Sequence, residues 1–179
     1  MLNIADILLE IASFYFSEHG RGISKTKLLK LAYLAEVEYF RRNGERLTNS
    51  DWVYYLYGPY LFNIEKIELP EEKQAEIILP PKGFTSTVEL ATKMLIQKIV
   101  LRFGSLDLKK LLDYVYFETE PMMNADQRFE HLDFSAILPQ EYYNVEKLKI
   151  PHKKEQAILA ALKNKLEARR AKQGGFHHE

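Results

Sequence analysis

Ser24-Lys25-Thr26-Lys27-Leu28-Leu29-Lys30-Leu31-Ala32-Tyr33-Leu34-Ala35-Glu36-Val37-Glu38-Tyr39-Phe40-Arg41-Arg42-Asn43-Gly44 is the stretch on which the fold turns. Its first residue is a good N-cap, because a serine hydroxyl accepts an otherwise orphaned amide. Asn43-Gly44 supplies the stop, and nothing between is glycine or proline, so a helix over 25–42 is predicted. Leu28, Leu31, Ala32, Ala35 and Tyr39 trace one apolar stripe; Leu29, Tyr33, Val37 and Phe40 trace a second beside it. A helix with two adjoining stripes packs on more than one side, which puts this one at the centre of the core.

Helical spacing recurs on both sides of it. Ile4, Ile7, Leu8, Ile11, Phe14 and Tyr15 predict an amphipathic helix over 2–18, with Asp6 and Glu10 on the opposite face and His19-Gly20-Arg21-Gly22 ending it. Further on, Ser86 with Glu89 reads as a capping box for a helix over 86–103, stopped at Gly104. Ser105 then caps a helix running to Thr119, with Leu108, Leu111, Leu112, Val115 and Tyr116 inward and Pro121 beyond its end. Short helical turns are expected near 126–131 and 135–138. Residues 152–173 read as a long, charged helix with a thin apolar line of Ile158, Leu159, Leu162 and Leu166, followed by a frayed end.

Between the helices lies a different texture. Trp52, Tyr54, Tyr55, Tyr57, Tyr60 and Phe62 crowd one short segment. As a strand it would be bulky on both faces, so it is either buried twice over or one face meets a partner. Gly58-Pro59 breaks it, and Glu76 to Leu79 is expected to pair with it as a ribbon. Glu65 to Glu76 is acid-rich and reads as an exposed helix or loop, with a turn at Pro80-Pro81-Lys82-Gly83. The expected architecture is mainly α: a compact helical domain over 1–150 with a small two-stranded β element, and a basic helical extension over 151–179.

Composition narrows the function classes. With 46% hydrophobic residues, few glycines and few prolines, the chain has a core to build. It has no cysteine, so disulfides, thiolate metal sites and a cysteine nucleophile are excluded, and a reducing cytoplasm is the expected setting. The first residues carry acids where a signal peptide needs lysines, and no run reaches the roughly 18 apolar residues of a spanning helix. The formal charge is zero, but residues 147–173 carry a net +7 and leave −7 on the remainder. An acidic body with a basic tail is an interaction pattern.

Catalytic signatures are missing. The histidines at 19, 131, 152, 177 and 178 have no metal-ligand spacing, although His131 has Glu130 and Asp133 close by. Carboxylate pairs such as Glu118 with Glu120, or Asp126 with Glu130, are what any charged helical chain carries. There is no phosphate loop and no nucleophile elbow. Neither an enzyme nor a cofactor is expected. Two helices joined at 19–23 and followed by a ribbon would fit a winged-helix DNA-binding regulator using Lys25, Lys27 and Lys30. The next residues of that helix, however, read as core, and an acidic body repels phosphates.

Three blocks carry a family resemblance. Residues 24–35 are similar to the leucine-lysine-leucine-tyrosine helix of the Panacea (SocA-like antitoxin) domain. Trp52-Val53-Tyr54-Tyr55-Leu56-Tyr57-Gly58-Pro59-Tyr60 resembles its aromatic segment ending in Gly-Pro, and residues 103–112 its glycine-capped helix. The resemblance spans residues 4–135. Tyr60 stands where the family commonly has a small aliphatic residue, and Met122 follows Pro121 where it often has tryptophan, which marks a divergent member. What the resemblance implies is a protein that neutralises a co-encoded protein toxin by direct contact, or an adaptor that delivers it to a protease. It implies no catalytic residue. A phage or mobile-element interaction protein is a further alternative. Tyr55, Tyr57 and Tyr60, with the acidic Glu68, Glu71 and Glu72, are the expected partner-binding residues; Trp52 and Leu56 are expected to point inward.

Overall fold

The structure is a computed structural model and describes residues 1–72 and 76–137. The described residues belong to one compact unit, Met1–Pro139. The expected basic helix over 152–173 and the boundary at 150 lie outside the described residues.

The fold is mainly α. Helix α1 (Ile4–His19) starts where the Asn3 side chain accepts the Ala5 amide at 3.0 Å and ends at Gly20, whose φ of 65° is left-handed. Strand β1 (Ile23–Ser24) leads into α2 (Lys25–Asn43), where the Ser24 hydroxyl accepts the Lys27 amide at 3.3 Å and Gly44 closes the helix at φ 70°. The cap and stop are those expected. So is the central position: α2 packs against α1, α3 (Leu90–Phe103), α4 (Leu108–Phe117), β1 and β3 (Gly58–Tyr60). Every residue from Leu28 to Val37 is buried, including Lys30 and Glu36.

Two polar side chains on so covered a helix need partners, and Glu36 has them. Its carboxylate accepts from Arg46 Nε at 2.7 Å, the Thr48 hydroxyl at 2.7 Å and the Thr48 amide at 3.2 Å. The Arg46 guanidinium sits 3.9 Å from the centre of the Phe134 ring and donates to Ser50 O. Tyr33 is fully buried; its hydroxyl is 2.9 Å from that of Thr119, which donates onward to Val115 O. Trp52 and Phe134 pack edge-on against the Tyr33 ring. For Glu36, Tyr33 and Thr119 these hydrogen bonds offset the desolvation that burial imposes, whereas the buried Trp52 Nε1 finds no partner among the described residues.

Several boundaries differ from the expected ones. Helix α3 begins at Leu90 because Glu89 is extended (φ −61°, ψ 152°), so the Ser86–Glu89 capping box does not form; the Ser86 hydroxyl accepts the Val88 amide in a local turn instead. Asp107, not Ser105, caps α4 by accepting the Lys110 amide at 2.8 Å, and Leu108 at the start of that helix is exposed. Pro121 lies in the first turn of a short helix, α5 (Glu120–Asn124), where its missing amide costs nothing. Glu10, expected on the polar face of α1, is buried, and its Oε2 finds no hydrogen-bond partner among the described residues.

The β structure is richer than a single pair. A two-stranded element forms, but not from the expected strands: β2 (Val53–Tyr55) pairs with β3, and the hairpin closes inside the aromatic segment, through Leu56-Tyr57, with Tyr55 opposite Gly58. β5 (Ile77–Ile78) does not join that ribbon. It pairs antiparallel with β1 on one side and with β4 (Glu71–Glu72) on the other. The cause is a close approach: Gly22 lies against Ile77 and Ile78, and any Cβ there would collide with the Ile77 side chain.

Candidate functional site

Exposed aromatic surface gathers around the β2–β3 hairpin. Gly58 adopts φ 84°, a left-handed conformation that glycine takes without strain, and this lets a two-residue loop reverse the chain. Trp52 and Val53 are buried, and Tyr54 leans edge-on against Tyr116 on α4 at 6.0 Å. Those contacts fix the hairpin to the domain. Its outer side is left with Tyr55, Tyr60 and Phe62, whose ring centres lie 5.3 Å (Tyr55 to Tyr60), 5.7 Å (Tyr55 to Phe62) and 6.0 Å (Tyr60 to Phe62) apart.

A fourth ring comes from far along the chain. Residues 129–132 run antiparallel to β2: the Phe129 amide donates to Tyr54 O at 2.6 Å, the Tyr54 amide to Glu130 O at 2.8 Å and the Leu132 amide to Trp52 O at 2.8 Å. Phe129 is held at φ 69°, a costly left-handed conformation for a side chain with a Cβ. The Glu130 carboxylate braces the turn by accepting the Asp126 and Gln127 amides. The strain places the Phe129 ring 5.4 Å from Tyr55 and stacked on Phe62 at 6.1 Å. Backbone outliers held in place by their surroundings concentrate at ligand clamps.

Of the residues expected at this site, Tyr55 and Tyr60 are half-buried members of the ring cluster, and Tyr57 is 65% exposed at the hairpin tip. Leu56 corrects the expectation: it points out, not in, because it occupies the loop rather than an inward strand position. Phe62 and Phe129, 54% and 59% exposed, complete the patch. Phe62 stood in the aromatic run without being singled out. Phe129 carried one signal, a lone aromatic in the charged segment Asp126-Gln127-Arg128-Phe129-Glu130. Of the acids, Glu68 is exposed, and Glu71-Glu72 form β4 by their backbone; residues 73–75, which separate them from Glu76 and contain no acid, lie outside the described residues.

Behind the patch, between the hairpin and α2, opens a cavity of about 190 Å³. Tyr55, Tyr57, Gly58 and Tyr60 form one wall, Leu29 and Lys30 another, and Lys25 and Glu65 join across the rim at 3.0 Å. Burial pushes the Tyr60 phenol up, with Glu65 adding to the effect. Lys30 is 2% exposed; its ammonium donates to Pro59 O at 2.7 Å, and burial alone pushes its pKa down to about 7. Lys27 donates to Gly104 O at 3.0 Å and Leu106 O at 2.7 Å, tying α2 to the turn before α4. All three lysines that a winged-helix reading would turn toward DNA are thus engaged within the domain.

Nothing here has the form of a metal site. Among the described residues no cluster of histidines and acids could hold an ion, and His131 pairs with Asp51 at 2.6 Å on the open surface. Among the described residues no helix is long and apolar enough to cross a membrane. No family model, curated protein or solved structure matches the chain.

Proposed function

We propose that the chain is a protein-binding module, antitoxin-like in the sense of the Panacea resemblance, which occupies a co-encoded toxin through the aromatic patch in the cytoplasm. One observation carries this reading: a cluster of Tyr55, Tyr60, Phe62 and Phe129 with Tyr57 and Leu56 beside it, exposed yet mounted on a hairpin fixed by buried contacts. Tyrosine and phenylalanine offer large contact area for little lost rotamer freedom, and rigid aromatic anchors dominate interface energies. An exposed patch of this kind marks a contact site. Delivery of the bound toxin to a protease is a variant that uses the same surface.

The neighbouring acids, Glu68, Glu71 and Glu72, suit a partner with a basic cleft, such as a toxin that acts on RNA or nucleotides. Reversing their charge should weaken the complex most at low salt; unchanged binding removes the acids from the interface. A DNA-binding regulator has less behind it, because Lys25, Lys27 and Lys30 are already hydrogen-bonded inside the domain.

The test is co-expression with the adjacent open reading frame. Growth arrest by the neighbour, relief by this chain and a stable co-purifying complex are expected, with relief lost in a Tyr57→Ala, Phe62→Ala, Phe129→Ala variant that still folds. A harmless neighbour with nothing co-purifying defeats the antitoxin reading. Duplex binding that falls steeply with salt and vanishes on replacing Lys25 and Lys27 would put the regulator in its place.

A further inference from the structure

Lys30 is in an unusual position for a lysine. Its ammonium has three N–H donors, and among the described residues one hydrogen bond, to Pro59 O, is all it makes. No carboxylate among the described residues pairs with it, although the buried Glu36 two turns on is fully satisfied by its own partners. A buried charge with unused donors and no counter-ion is unstable unless something completes it. The side chain is buried in the core and also forms part of the cavity wall, so completion can come from the cavity side.

The cavity also limits what can enter. Sites for drug-sized ligands run from roughly 300 to 1,000 Å³, and this one measures about 190 Å³. That is room for a side chain rather than for a cofactor. Glu65 and Glu76 on its lining repel any anion at a distance, so an anion gains there only by hydrogen-bonding directly to the unused Lys30 donors. Tyr55 and Tyr60 belong both to this cavity and to the ring cluster, so the pocket and the patch are one continuous surface.

We propose that the cavity seats a carboxylate side chain, glutamate or aspartate, of the protein partner, paired with the Lys30 ammonium while its flanking residues lie on the aromatic patch. The proposal rests on the binding reading above and names the chemistry of the partner's anchor. Lys25, Glu65, Glu76, Tyr55, Tyr57 and Tyr60 also face the cavity, and none is a histidine. Lys30, whose burial holds it near neutrality, is therefore the group whose charge governs entry between pH 6 and 8.

The experiment uses the full chain, uniformly labelled with nitrogen-15, titrated with N-acetylglutamate amide and, separately, N-acetylglutamine amide. The expected result is that the carboxylate probe shifts the backbone amides of Leu29, Lys30, Gly58 and Tyr60 while the isosteric amide probe does not. Affinity should fall about tenfold from pH 6 to pH 8 as the ammonium is lost, and Lys30→Met should abolish the response. Equal shifts with both probes, a pH-independent affinity, or no shifts at these amides would each overturn the proposal. The pH arm and the amide control need no variant, so the test stands even if Lys30→Met fails to fold. Failure of co-purification with the neighbour, by contrast, defeats the binding reading and leaves this titration to be judged on its own.

Discussion

Replacing Lys30 with methionine should make the protein more stable, and should do so by an amount that depends on pH in one direction. Folding lowers the Lys30 pKa from 10.5 to about 7, by burial alone. Between those two values the unfolded chain holds more protons than the folded one, so stability rises with pH, at about 1.4 kcal/mol per unit. From pH 7 to 9.5 the gain is about 3 kcal/mol, which for a chain of this length is roughly 6–12 °C in Tm. The full penalty, reached below pH 7, is absent in Lys30→Met, which keeps the apolar stem and leaves only Pro59 O without its donor, at a cost of about 1–3 kcal/mol. The variant should therefore be the more stable protein at pH 7, by roughly 1–3 kcal/mol. Lys27, also lowered by burial first, adds a slope of the same sign, and the raised phenols of Tyr33 and Tyr116 reverse the trend near pH 10 and above. Both contributions cancel in the difference between wild type and variant. Urea denaturation of the two proteins at half-unit steps from pH 6.5 to 9.5 supplies that difference. Parallel profiles, or a variant less stable than wild type at pH 7, would refute the account of Lys30 as an uncompensated buried amine.

Other consequences can be checked with simpler measurements. Glu36→Ala removes the acceptor for Arg46 and Thr48, and should cost roughly 1–3 kcal/mol in urea titrations, chiefly because the buried Thr48 donors lose their partner while Arg46 keeps Ser50 O. Phe129→Asn relieves about 1 kcal/mol of left-handed strain, which offsets the packing lost from a ring already 59% exposed. Its Tm should move by less than about 3 °C while retention of the co-expressed neighbour falls at least about tenfold; retention at the wild-type level would take Phe129 out of the interface. Gly22→Ala forces a Cβ onto Ile77 and Ile78 O and should lower stability by about 1–3 kcal/mol with no change in the urea m value. Unaltered stability would mean that β1 and β5 separate freely.

What could be read from the chain follows the range of the interactions involved. α2 was legible because its cap, its stop and both apolar stripes lie within the segment itself, and the structure reproduces each. Glycine and capping signals fixed where α1 ends for the same reason. One error is local and the others arose where the deciding contact is remote. Ser86–Glu89 matches a capping box, yet the extended Glu89 takes the cap position itself and the helix begins after it. Ile77–Ile78 has the texture of a partner for the aromatic ribbon, but the flat space beside Gly22 gives it β1 instead. Lys30 carries no mark of burial; only the arrival of the β3 strand, far along the chain, covers it and offers Pro59 O. The candidate site divides in the same way. Tyr55, Tyr57 and Tyr60 announce themselves by crowding, whereas Phe129 joins them through main-chain pairing that no local pattern encodes.

The burial of α2 also sets a timetable for synthesis. The helix is translated early, but the groups that cover its Tyr33 face, Thr119 and Phe134, emerge roughly a hundred residues later. At about 5–20 residues per second, that interval lasts on the order of 5–20 s. Throughout it, the nascent chain offers a helix whose Tyr33 face is uncovered, a target for holdase chaperones and for proteases. Abundance of the finished protein should accordingly depend more on how fast residues 90–137 are made than on the equilibrium stability they finally confer.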